Sequence, residues 1–127
     1  MSAPGAATGT PRPTGLHLDR QARQLSVTFD DGASFDLPAE LLRVESPSAE
    51  VQGHGPDEKV LVAGKRNVGF IDIEPVGRYA VRLIFDDGHD TGLFTWEILY
   101  RLGRHREAIF EAYLKALEEH GLSRDPG

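Results

Sequence analysis

No cysteine occurs among the 127 residues of this chain. That excludes disulfides, a thiol nucleophile, thiolate zinc sites and iron–sulfur ligation by these residues. Long apolar runs are also missing, and no stretch approaches the ~20 residues of a membrane span. Positive charge is scarce: 14 Lys and Arg face 20 Asp and Glu, a net charge of −6. The one dense basic cluster is Arg101, Arg104 and Arg106. No broad basic face is expected, so nucleic acid is not expected as a partner. The first stretch, MSAPGAATGTPRPTG, lacks the apolar centre of a signal peptide. Its composition predicts a disordered tail over residues 1–15. Together these features fit a cytoplasmic protein that does not enter a membrane.

What the sequence does contain is a near-repeat. VTFDDGASFDLPAELLR at 27–43 returns as LIFDDGHDTGLFTWEILYRL at 83–102. Each copy reads as an apolar strand, a Phe-Asp-Asp-Gly turn, a short second strand and a Leu-rich helix. Leu25, Val27 and Phe29 alternate, as do Val81, Leu83 and Phe85, which is the period of a half-buried strand. Tyr79 is expected to open the second of these strands. Asp31-Gly32 and Asp87-Gly88 supply the turn residues. Leu16 to Asp19 suggests an earlier strand, and Lys59–Val62 a short one within the irregular 44–66 stretch. Glu74-Pro75-Val76-Gly77 reads as a turn with Pro in its second position.

The last third is helical. Thr95 can cap a helix facing inward through Trp96, Leu99 and Tyr100. Gly103 is expected to break or kink it. From 104 to 120 the spacing of Ile109, Tyr113, Ala116 and Leu117 predicts a second helix, stopped by Gly121. Residues 122–127 read as a frayed end. At this length the chain holds one core, so residues 16–121 form a single domain. The expected fold is α+β: a small antiparallel β-sheet built from hairpins, with C-terminal helices packed on it.

The sharpest candidate site is Asp86-Asp87-Gly88-His89-Asp90. Three carboxylates and an imidazole on one turn could present a divalent ion with oxygen and nitrogen ligands. Turn chemistry alone explains the Asp-Gly, as Asp30-Asp31-Gly32 does without a His. His89 is the residue the turn does not require. Ser46 and Ser48, in SPSAE, are serines without a nucleophile elbow. His17 is expected on an outer strand face and His54 in solvent. His105 and His120 flank the last helix, His120 well placed against its dipole. No HxH or HExxH spacing occurs. Gly64-Lys65-Arg66-Asn67 lacks the spacing of a phosphate loop and reads as a basic turn. Glu107, Glu111, Glu118 and Glu119 read as a solvated helix face, and Trp96 as core.

The two Asp-Gly turns, Leu42-Arg43, and the strings LRVESPSAEVQG and FDDGHDTGLFTWEIL together resemble a known family. The chain is similar, over about residues 16–102, to bacterial proteins built on the N-terminal domain of gamma-butyrobetaine hydroxylase. In the hydroxylases that domain precedes an iron(II)- and 2-oxoglutarate-dependent catalytic domain, and related domains are fused to carrier ATPases of iron–sulfur assembly. The resemblance implies a small zinc-bearing module, with ligands from a Cys-x-Cys-x-x-Cys run and the His of the second Asp-Gly-His. Those positions fall on Ser46, Ser48, Val51 and His89, and only His89 survives. No metal and no cofactor are therefore expected, and the oxygenase chemistry is not carried over. The expectation is a non-catalytic accessory module docking on a partner protein, with a homodimer also compatible. Its contact surface is placed on the second hairpin and the 44–66 loop, with Arg43, Ser46, Ser48, Asp87, His89 and Trp96 as binding residues. The alternative is a metal-responsive or iron–sulfur-biogenesis accessory protein acting with a carrier ATPase. An enzyme uniting His17, His54 and His89 in space is the third reading.

Overall fold

The two hairpins do not share one sheet. In the computed structural model, which describes residues 11–53 and 59–126, each builds its own three-stranded antiparallel sheet. The first contains β1 (Pro13–Asp19), β2 (Gln24–Phe29) and β3 (Ser34–Pro38). Two short helices follow, α1 (Ala39–Val44) and α2 (Ala49–Gln52). The second sheet contains β4 (Phe70–Val76), β5 (Ala80–Phe85) and β6 (Leu93–Thr95). The chain ends in α3 (Trp96–Arg104) and α4 (Arg106–Glu119). The α+β, antiparallel architecture is the one the sequence predicts. The division into two sheets was not readable, because strand alternation states which face is buried and not which strands pair.

The central strands carry the core. Leu25, Val27 and Phe29 of β2 and Val81, Leu83 and Phe85 of β5 are all buried. They join Leu41 and Leu42 of α1 and Leu99 and Leu102 of α3 in one cluster. Burying each such Leu, Val or Phe contributes roughly 1.5–3 kcal/mol, so this seam dominates stability. A smaller cluster of Val44, Tyr113 and Leu117 seats α4.

The two turns are copies in detail. Phe29 N–H donates to the Ala33 carbonyl at 2.8 Å, and Phe85 N–H to that of His89 at 3.0 Å. Gly32 and Gly88 sit at φ +90° and +91°, a region glycine adopts without strain. In each turn the second Asp accepts the N–H two residues on, at 2.9 Å for Asp31 and 3.0 Å for Asp87.

Several local expectations change. β1 starts at Pro13, inside the stretch read as a tail. Pro75 lies within β4 rather than in a turn; β4 is an edge strand, where a residue lacking N–H is tolerated. The turn falls at 77–79 instead, with Gly77 at φ +54° and Tyr79 exposed, so β5 begins at Ala80. Lys59–Val62 is not a strand; it passes α2 through one bond, Val60 N–H to the Val51 carbonyl at 2.6 Å. Gly103 lies inside α3 without breaking it, and His105 separates the two helices. A Cβ at Gly103 would meet the Phe35 ring at 2.3 Å, so this glycine lets α3 approach β3 closely. Thr95 caps α3 as expected, its Oγ1 accepting from Ile98 N–H at 3.2 Å.

The C-terminus is tied down rather than frayed. Gly64 N–H donates to the Ser123 carbonyl and Arg66 N–H to that of Arg124, both at 2.9 Å. Arg124 grips Glu40 through two bonds of 2.8 and 2.6 Å, with its guanidinium over the Phe110 ring. A basic residue near a chain end carries no local sign of such a partner 84 positions away.

Candidate functional site

Three polar side chains meet inside the protein. Ser46 Oγ lies 2.9 Å and Ser48 Oγ 3.3 Å from Nε2 of His89. The two hydroxyls are 3.4 Å apart. All three residues are buried, at 0%, 6% and 5% exposure. The short segment from Ser46 through α2 brings the serines in, and the second Asp-Gly turn brings His89. Gln52 steadies the segment by donating to the Ser46 carbonyl at 2.9 Å. On the far side of the ring, Nδ1 lies 3.4 Å from Glu50, an exposed residue that also accepts from Thr91. With carboxylate at Nδ1 and hydroxyls at Nε2, the neutral ring carries its proton on Nδ1 and accepts at Nε2. Burial, helped by the nearby Arg43 guanidinium, holds the His89 pKa below its ordinary value, against the opposing pull of Glu50 and Asp87.

Beside this group runs an ion cluster. Asp87 Oδ2 receives both Arg43 Nε and Lys65 Nζ at 2.7 Å. Burial works against the Asp87 carboxylate, but Lys65, the His89 N–H and Arg43 outweigh it and bring its pKa down to about 2. The Arg43 and Asp87 side chains are only 13% and 15% exposed, and Arg43 Nη1 is buried without a hydrogen-bond partner.

The structure thus gathers five of the six predicted binding residues. Trp96 stands apart, half-buried, donating from its indole to the Arg78 carbonyl at 2.7 Å. Lys65 was missed; no local pattern marks a turn lysine that bridges to another hairpin. The acidic turn does not converge on an ion: Asp87 faces the cations, and His89 turns inward to the serines. Among the described residues no group of three or more His, Asp and Glu is arranged to hold a metal. His17 is exposed on β1, and His120 donates from Nδ1 to the Ala116 carbonyl at 2.9 Å. His54 lies outside the described residues.

Ser46, His89 and Glu50 align in the order of a serine–histidine–carboxylate relay. A nucleophile must meet its substrate, and Ser46 is fully buried. A Cβ at Gly92 would stand 2.3 Å from its Oγ, so the backbone closes over it. As folded, the arrangement packs and hydrogen-bonds Ser46 in the interior. It does not suit zinc either, since two neutral hydroxyls, one imidazole and the isopropyl of Val51 are not a zinc donor set.

The fold and this cluster define a small α+β domain with an internal repeat. Residues 16–100 match the family described as gamma-butyrobetaine hydroxylase-like, N-terminal, and the chain belongs to that family. One NMR solution structure is 49% identical, with 94% of each chain covered and a TM-score of 0.81. A second NMR structure is 51% identical, covering 99% of this chain and 92% of its own, with a TM-score of 0.80. A crystal structure of a DUF971-family protein of unknown function, from Acidithiobacillus ferrooxidans, is 40% identical, covers 72% of this chain and 92% of its own, and has a TM-score of 0.61. No curated protein matches the chain. No helix among the described residues is long and apolar enough to cross a membrane.

Proposed function

We propose that the chain is a non-catalytic, cytoplasmic accessory module that binds a partner protein. One observation carries this reading: Ser46 and His89 of the serine–histidine–carboxylate alignment are sealed inside the fold, with only Glu50 exposed, so the alignment can hold the 46–52 segment but offers no nucleophile to a substrate. The burial of Ser46, Ser48 and His89 also moves the contact surface outward from these residues. The surface that fits is the groove of about 430 Å³ between residues 59–62 and α4. Its walls include Val60, Leu61, Ile109 and Ala112, with Glu45 and Lys59 at one side. It would take an apolar segment of a partner, flanked by polar groups. The donor set at His89 lends no support to the metal-responsive alternative.

A photo-crosslinking residue in place of the exposed Val60 tests the reading in cells. The expected result is one discrete adduct, absent when the crosslinker replaces His17 on β1 and lost on Ala112→Arg. Adducts that ignore Ala112→Arg would remove the groove as the surface. Ester hydrolysis by the purified chain that disappears on Ser46→Ala would overturn the non-catalytic reading.

A further inference from the structure

The three donor atoms around His89 have a telling spacing. Their separations of 2.9, 3.3 and 3.4 Å form a nearly equilateral triangle. Ligands bound to one tetrahedral zinc ion at ~2.0–2.1 Å lie about 3.3 Å from one another. The triangle therefore has the size of one face of a tetrahedral metal site. Val51, three residues after Ser48, falls on the same side of α2 and is buried at 1% exposure. Of the four positions the family resemblance gives to ligands, three meet in this triangle and the fourth is buried in the same segment, yet only His89 offers a good donor.

We infer that this chain retains the frame of a four-coordinate metal centre and has transferred its structural task to hydrogen bonds. The shortest edge shows what replaced the ion. At 2.9 Å, Ser46 and His89 are hydrogen-bonded directly, which holds the two side chains together without an ion. The Ser46 oxygen also receives the Ser48 N–H at 3.4 Å, which tightens the Ser-Pro-Ser bend without an ion. The surroundings leave this frame little freedom. Gly92 admits no side chain against Ser46, Asp87 fixes the His89 backbone, and Gln52 fixes the Ser46 carbonyl. Such support is what keeps metal ligands oriented in a centre that does hold an ion. Replacing oxygen by sulfur at 46 and 48, and the isopropyl by a thiol at 51, should recover a site without rebuilding the backbone.

The test compares the full chain with its Ser46→Cys/Ser48→Cys/Val51→Cys variant, both purified untagged from zinc-supplemented cultures. The original chain is expected to carry less than a tenth of an equivalent of zinc, with a melting temperature indifferent to zinc and EDTA. The triple variant is expected to hold one zinc per chain and to melt higher with zinc than with EDTA. Its cobalt(II) form should show the sulfur-to-metal absorption and intense visible bands of tetrahedral thiolate coordination. Adding His89→Ala to the triple variant should weaken metal binding at least tenfold. A triple variant that folds only with zinc supports the inference equally. If it folds under neither condition, the Ser46→Cys/Ser48→Cys pair is titrated with cobalt(II), and tetrahedral thiolate bands that His89→Ala removes are the expected result. Stoichiometric zinc in the original chain, lost on His89→Ala, would overturn the claim that hydrogen bonds replaced the ion. Cysteine variants that fold but give no tetrahedral cobalt spectrum would overturn the claim that the frame is retained.

Discussion

Arg43 and Tyr100 hold the same place in two different helices, and each reaches across to the other copy's turn. Both are the fifth residue of a helix that follows directly on the last strand of its sheet. Arg43 of α1 binds Asp87 in the second turn at 2.7 Å, and Tyr100 of α3 binds Asp31 in the first turn at 2.6 Å. Asp31 and Asp87 are themselves equivalent. The repeat visible in the sequence is thus a repeat in space whose halves exchange contacts. A half alone would lack the partner of its own turn, which is a physical reason for the two sheets to fold as one unit.

The two crossing contacts differ in charge and burial, and so should their mutants. Asp87→Asn keeps the shape and the bond to the His89 N–H but leaves Arg43 and Lys65 without their shared anion. A fully buried broken pair costs about 3–5 kcal/mol; partial exposure should reduce this to about 2 kcal/mol. Asp31→Asn still accepts from the Tyr100 hydroxyl at an exposed site and should cost clearly less. Urea melts of both variants check the order, and equal losses would contradict it. Because the folded Asp87 pKa is lowered to about 2, its ion-pair stabilisation is present above the ordinary carboxylate value of 3.8 and fades as pH falls toward 2. Asp87→Asn should therefore flatten the acid limb of the stability curve.

The sequence made legible what is encoded locally. Alternation exposed β2 and β5, Asp-Gly located both hairpin turns, Thr95 announced the start of α3, and Gly121 at φ +67° marks the stop after α4. The pairing of Ser46 and Ser48 with His89 was approachable only because the family resemblance placed positions 43 and 41 residues apart in one site. The Lys65–Asp87 contact, the tethered C-terminus and the role of Gly103 stayed hidden. Each depends on which surface another element presents, and neither periodicity nor turn chemistry reports that.

Gly103 gives the plainest case of a local rule overruled. In an exposed helix, Gly→Ala gains roughly 1 kcal/mol. Here the added carbon would fall 2.3 Å from Cγ of Phe35, the inner end of the ring, which cannot move without displacing β3. Overpacking of this kind costs about 1–3 kcal/mol. Gly103→Ala should therefore lower the melting temperature, while Gly103→Ala/Phe35→Leu recovers part of the loss. A single substitution that raises the melting temperature would show that the contact relaxes freely.

Arg124 should matter more than its place near the chain end suggests. The Glu40 side chain is only 7% exposed, and removing its guanidinium partner leaves a largely buried carboxylate uncompensated. Arg124→Ala should cost about 2–4 kcal/mol by that mechanism and the lost packing on Phe110. Glu40→Gln/Arg124→Ala should be more stable than Arg124→Ala alone, because no buried charge remains. Independent, additive losses in the double-mutant cycle would show that the pair is not coupled.

His89 predicts a second pH window, above that of Asp87. Its folded pKa is lowered, first by burial and then by Arg43 on α1, against Glu50 on α2 and Asp87 in its own turn. The unfolded chain then binds the proton more readily than the folded one. Stability from this residue is therefore complete above the unfolded value of 6.5 and declines as pH falls below it. His89→Gln cannot take up that proton, yet its side-chain amide can still bond to the serine hydroxyls. Thermal melts between pH 7.5 and 5 should show the original chain losing more stability than His89→Gln, the two curves converging at the acid end. Parallel curves would mean that the ring accepts its proton in the folded state at no cost, and that Glu50 and Asp87 together offset burial and Arg43.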